Sequence, residues 1–252
     1  MDEINIGLLT FGCLFGAAML ALTLHSRLRS DYRDQRTHDM VKLSMGMIVV
    51  MSSLVLGLLT ASLKRTFDTV DTDVHKFGTQ LLLLDRTLTK YGPGGAEARA
   101  LLRDYTAFVL ERNWPKDGVV PVVDDDRAAD ILDELDRAIQ NLPTDTREHQ
   151  RLAAQAVGEM RTLYVLRWTI IGESTGQISQ PFLVILVFWL TLCFASFGYN
   201  APRNPVVAVV LFLSAASIAG AIFLIVDLDT PFDGWMRISG RPVELALQHL
   251  RQ

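Results

Sequence analysis

Cysteine is nearly absent: two residues, Cys13 and Cys193, stand in a chain of 252. Both fall in apolar stretches where a thiol packs as a small hydrophobe, which excludes a disulfide framework and a cysteine metal site. Histidine is as sparse, and His25, His38, His75, His149 and His249 form no HExxH or similar ligand spacing. No GxSxG elbow, Walker loop or dinucleotide glycine fingerprint occurs, so the chain does not read as an enzyme and calls for no cofactor and no metal. Charge of one sign is missing as well. The formal net charge is -4, and Lys and Arg are dispersed among acids, which excludes nucleic acid as a partner.

What is present is a distribution. Charged residues are absent from 4–24, 43–63, 174–202 and 204–226, and nearly all fall between or after these stretches. About 20 apolar residues, rising 1.5 Å each, cross a hydrocarbon core of about 30 Å, so each stretch is long enough to span a bilayer. The sequence therefore predicts an all-α protein with four transmembrane helices and the lipid bilayer as its first partner. A first helix pair occupies 1–63, a helical stalk and extramembrane domain 64–180, a second pair 181–228, and an amphipathic C-terminal tail 229–252. The first stretch opens with Asp2 and Glu3 instead of a basic region, and reads as a retained helix, not a signal peptide.

Between the first two spans, Arg27, Arg29, Arg33, Arg36 and Lys42 outnumber Asp31, Asp34 and Asp39 by five to three. Short, net-positive loops stay in the cytoplasm, which places both termini and the 64–180 domain outside it.

The clearest periodicity crosses the end of the second span. Leu56, Thr60, Leu63, Phe67, Val70, Val74, Phe77, Leu81, Leu84 and Leu88 alternate steps of four and three, a heptad seam that predicts one helix from 43 to 91. Gly92, Pro93, Gly94 and Gly95 end it. Beyond the membrane, Phe67, Val70, Val74, Phe77, Leu81, Leu84 and Leu88 read as a coiled-coil stalk between copies of the chain, with a later helix of the same chain as the alternative partner. Helices are expected over 96–112, after Asp124, Asp125 and Asp126, and from Pro143 towards the third span, where Pro181 marks a break. The three acids suit a helix N-terminus. A divalent cation would also suit them, but capping needs no further assumption.

Within the membrane the seam extends back to Gly46, Val49, Ser53, Leu56 and Thr60, a face that is small, partly polar and uncharged. Copies around an axis would line a narrow pore with it; tight helix packing uses the same residues equally well. Gly12 with Gly16, and Ala216 with Gly220, read as packing pairs. After the fourth span, Asp227 and Asp229 are candidate ion-binding carboxylates, or structural partners of Arg237 and Arg241, and Asp229-Thr230-Pro231 suits a turn that fixes how the tail returns to the membrane.

At this stretch the sequence resembles a bacterial family called bestrophin-like, most of whose members have no established function. The resemblance rests on Asp227-x-Asp229-x-Pro231-Phe232-x-Gly234, Ile238-Ser239, the tail around Val243 to Leu247, a third span ending near Phe197-Gly198 and Asn204 before the fourth span. It implies a bacterial plasma-membrane protein related to pentameric anion channels, which keep their large helical domain in the cytoplasm, opposite to the charge argument. Those channels use a phenylalanine-rich neck, whereas this second span carries no aromatic before Phe67. The reading that joins these features is a homo-oligomer with an ion-channel or channel-like role, its pore lined by the second span and inorganic ions as its permeants. The alternative is a non-conducting scaffold or sensor whose helical domain recruits a partner protein.

Overall fold

A computed structural model describes residues 3–24, 35–115, 120–174, 178 and 180–251, and every regular element among them is helical. The basic stretch 25–34 and Gly118 lie outside them. In chain order the elements are α1 (Glu3–Leu24), α2 (Gln35–Tyr91), a 3-10 turn (Pro93–Gly95), α3 (Ala96–Asn113), α4 (Asp126–Gln140), α5 (Arg147–Ser174), α6 (Gln180–Asn200), α7 (Pro205–Asp227) and α8 (Arg241–Leu250). Four of them, α1, α2, α6 and α7, are long and apolar enough to cross a membrane. The chain divides into two compact units, Met1–Arg65 with Gln177–Asp229, and Thr66–Gly176 with Thr230–Gln252.

The first unit packs around α1. Leu14 and Ala18 meet Leu186, Phe194, Ala215 and Ile222 in a buried cluster; Phe11 and Phe15 stack at 5.6 Å, and Phe212 meets both edge-on at 5.3 and 5.6 Å. α6 comes close to α1 at Gly198, where a Cβ would stand 2.0 Å from the Ala18 carbonyl oxygen of α1. Only a residue without a side chain fits there. At Gly12, Gly16 and Gly220, three of the residues expected in packing pairs, an added Cβ would meet nothing within 4 Å, so none of these glycines is a close helix contact within the chain. Arg203, in the α6–α7 turn, donates to the Leu22 and Thr23 carbonyls left open at the end of α1. Asn204 caps α7 by accepting the Val206 N–H at 3.0 Å, with Pro205 in the first helical turn.

The second unit is built on the C-terminal half of α2, from Thr66 onward. α2 begins at Gln35, eight residues before the expected start at 43, because the charged residues there do not prevent helix formation. It ends at Gly92, whose φ of 91° is the left-handed conformation that glycine adopts without strain. The seam residues Val70, Val74, Phe77, Leu81, Leu84 and Leu88 are buried, and Phe67 packs partly against them, in a core shared with α3, α4, α5 and α8. The seam is thus satisfied within one chain, which corrects its assignment to a stalk between copies: the ridge has no apolar surface left for a second helix. Polar residues key α5 onto it. Gln80 donates to the Glu159 carbonyl at 3.0 Å, Thr87 to the Glu159 carboxylate at 3.0 Å, and Gln155 to both Thr87 and Glu159. Asp125 caps α4 through the Arg127 N–H at 2.9 Å, as the acidic run suggested.

Candidate functional site

The resemblance motif straddles the end of α7, and its residues take two different structural parts. Asp227 is fully buried at the helix end and offers no surface to an ion outside the chain. Asp229 closes the first unit: both its carboxylate oxygens accept the Ile178 N–H, at 3.1 and 3.3 Å, tying the start of α6 to the end of α7. Beside it lies a crevice of about 360 Å³ with apolar walls from α1, α6 and α7, among them Leu9, Leu183 and Val187, and with Thr10, Gln180 and Asp229 as its polar residues. Its volume is that of a small-ligand site.

From Pro231 onward the motif organises the tail. The Ile238 N–H donates to the Pro231 carbonyl at 2.9 Å, and Gly234 takes a φ of 80° that a side chain would strain. Phe232 is buried edge-on against Trp114 at 5.4 Å, and the Trp114 indole N–H donates to the Ile238 carbonyl at 2.8 Å. Ser239 accepts the Arg241 N–H at 3.3 Å. At Gly240 a Cβ would meet the Trp114 ring at 2.7 Å, so this glycine lets the indole lie flat on the chain. α8 then buries Val243, Ala246 and Leu250 in the second unit's core. The tail that the turn at Asp229-Thr230-Pro231 was expected to return to the membrane packs instead into the core of the helical unit, with Pro231, Phe232, Gly234 and Ser239 as its clasp.

The expected pore face of α2 is only partly intact. Ser52, not Ser53, is buried, and Val55, Leu56 and Leu59 pack partly against the first unit's own core. Leu56 thus leaves the candidate pore stripe, since it lies on the side that faces α1, α6 and α7. Gly46, Val49, Ser53 and Thr60 are exposed, with the Thr60 hydroxyl turned back onto the Leu56 carbonyl at 2.8 Å. Sequence reasoning missed Gly57, which lines a shallow groove with Val49, Val50 and Ser53. The spacing Ser53-xxx-Gly57-xxx-Ala61 is the signal that would have found it. In the most apolar stretch of α2 only 6 % of the residues are buried by the chain, against 22–28 % in the other three spans, so this helix has the barest flank.

In the second unit, burial works to raise the Asp125 carboxyl, but the Arg112 guanidinium at 2.8 Å and backbone N–H donors outweigh it and hold the group below its usual range. Glu173 is pushed up by burial and by the negative charge of Asp73, against the pull of Lys76, which is paired with Asp73 at 2.7 Å. Among the described residues no three His, Cys, Asp or Glu side chains gather as a metal site.

Four membrane-length apolar helices and a tail clasped onto a helical core define a multi-span helical membrane protein. The family model of the Bestrophin-like domain matches residues 12–243, and the chain belongs to the Bestrophin-like family. Neither the curated proteins nor the solved structures include a match to it.

Proposed function

We propose that the protein is a homo-oligomeric channel of the bacterial plasma membrane, in which the bare flank of α2 lines an ion path between copies. The observation that carries this reading is the exposure of Gly46, Val49, Ser53, Gly57 and Thr60 in a span that the rest of the chain hardly covers. A face of small and hydroxyl residues has no advantage against lipid, where Leu and Val serve better, but permits close approach of neighbouring helices and a narrow lumen. Membership of a family named for channels supports the same reading. In this arrangement the helical unit Thr66–Gly176 with the tail stands outside the bilayer, inserted between the second and third spans. Asp229 ties the start of α6 to the end of α7 within the first unit, and in this reading it does not bind the permeant ion.

The test is ion flux into liposomes carrying the purified protein, with Ser53→Trp beside the wild type. Ser53 is exposed, so the indole leaves the chain's own packing intact, and a pore at this face is blocked while the oligomer mass is unchanged. Absence of flux from the wild type would favour the alternative, a scaffold or sensor that recruits a partner protein through the helical unit.

A further inference from the structure

In the second unit a cavity of about 20 Å³ lies among α2, α3, α4 and α5, apart from the crevice beside Asp229 and from the bare face of α2. It has room for about one water molecule or an ion little larger. Its walls are mostly apolar, with Val74, Phe77, Val109 and Ile170 among them, but five of its residues carry side-chain donors; Arg112 is engaged by Asp125 and Trp114 by the Ile238 carbonyl, which leaves Tyr105, Asn113 and Arg167. Tyr105 is completely buried, and its hydroxyl has no hydrogen-bond partner. Buried polar atoms left in that condition are rare in folded proteins and ask for an explanation. Arg167 is 6 % exposed, and Asn113, also buried, supplies an amide.

The charge balance selects among possible occupants. Two guanidinium groups and one carboxylate belong to the lining, and Asp125 is spent on Arg112 at 2.8 Å. Arg167 donates to the Asp125 backbone carbonyl at 3.2 Å, and its nearest carboxylate, Asp124, stands 3.9 Å away with 65 % of its side chain in solvent. That pair is screened by water, so the buried cation is under-compensated. A lone water would satisfy the Tyr105 hydroxyl but leave the charge. A carboxylate or phosphate would bring the charge but exceeds the space. We infer that the Tyr105–Arg167 cavity binds one small monovalent anion of halide size, held by the phenol O–H, the guanidinium and the Asn113 amide. The anion completes the core of the helical unit and makes its stability depend on halide, independently of any conduction.

The full-length protein in detergent, unfolded thermally in sodium bromide and in sodium gluconate of equal ionic strength, tests this. An occupied site raises the midpoint in bromide by about 3–6 °C, since an anion that binds only the native state stabilises by mass action. Tyr105→Phe keeps the ring and removes the donor. It should reduce the halide effect by more than half while melting no lower than the wild type in gluconate, where the unpaired hydroxyl is only a cost. Ser53→Trp should keep the halide effect in full, which separates this site from the proposed pore. Broadening of the chloride NMR line by the wild-type protein, reversed by bromide, reads occupancy without any variant. Equal midpoints in the two salts with no line broadening, or an undiminished halide effect in Tyr105→Phe, would overturn the assignment.

Discussion

Single residues set several constraints that can be tested directly. Gly198→Ala forces a methyl group against the Ala18 carbonyl oxygen, a helix backbone atom that cannot swing aside. Overpacking of this kind costs about 1–3 kcal/mol or more, so the variant should give a clearly lower melting midpoint and less purified protein. Gly12→Ala and Gly220→Ala, with open space around them, serve as controls and should behave as wild type. Gly240→Ala pushes the Trp114 ring away from the tail and should loosen α8, read as faster amide exchange at Val243 and Leu247. Two carboxylates predict opposite pH effects. Asp125 is held below its usual range, so its contribution is present above the ordinary carboxylate pKa and is lost as pH falls through its lowered value. Asp125→Ala should cost about 1 kcal/mol at neutral pH through the lost cap, and less in acid. Glu173 is raised, so the folded state holds its proton more tightly and stability falls as pH rises past the ordinary range. Glu173→Gln should therefore raise the melting midpoint at about pH 8 and leave it nearly unchanged at about pH 4.

Among the elements, α2 decides the most, because its two halves have opposite fates. In the C-terminal half the apolar seam faces α3, α4, α5 and α8 of the same chain, and Leu81→Ala should cost about 2–5 kcal/mol for a fully buried leucine. Cysteines placed singly at Val74 or Leu81, in a background without Cys13 and Cys193, should not crosslink copies, since both positions are enclosed. Cysteines at Ser53 or Gly57 should do so in membranes if the bare flank is the interface. Crosslinking at Val74 without any at Ser53 would reverse the assignment. The heptad spacing in the sequence was real, yet its partner was not legible: an apolar ridge records that something must cover it, not whether the cover comes from the same chain or from another.

For the whole molecule, orientation is the main expectation left to measurement. The excess of five basic residues over three acidic ones in 25–42 favours a cytoplasmic loop, with the helical unit on the other face of the membrane. Single cysteines at Asp104, whose side chain is 66 % exposed, and at Asp39 can be labelled on intact cells with an impermeant thiol reagent. The charge argument expects label at Asp104 and none at Asp39; the reverse pattern would turn the protein over.

The spans, the end of α2 at Gly92 and the capping of α4 by Asp125 were legible in the sequence, because each depends on local composition: uninterrupted apolar length, a left-handed glycine, a side-chain acceptor placed before a helix. The motif after α7 was legible as a pattern, but its chemistry was not. Asp227 and Asp229 look alike in the sequence, and only the fold encloses one and turns the other onto the Ile178 N–H. The cavity at Tyr105 and Arg167 carried no signal at all, as the two residues stand 62 positions apart and share no spacing rule. Local structure follows from neighbours along the chain, while burial, pairing and the sharing of an apolar ridge are properties of what packing brings from afar, and these the tertiary structure alone decided.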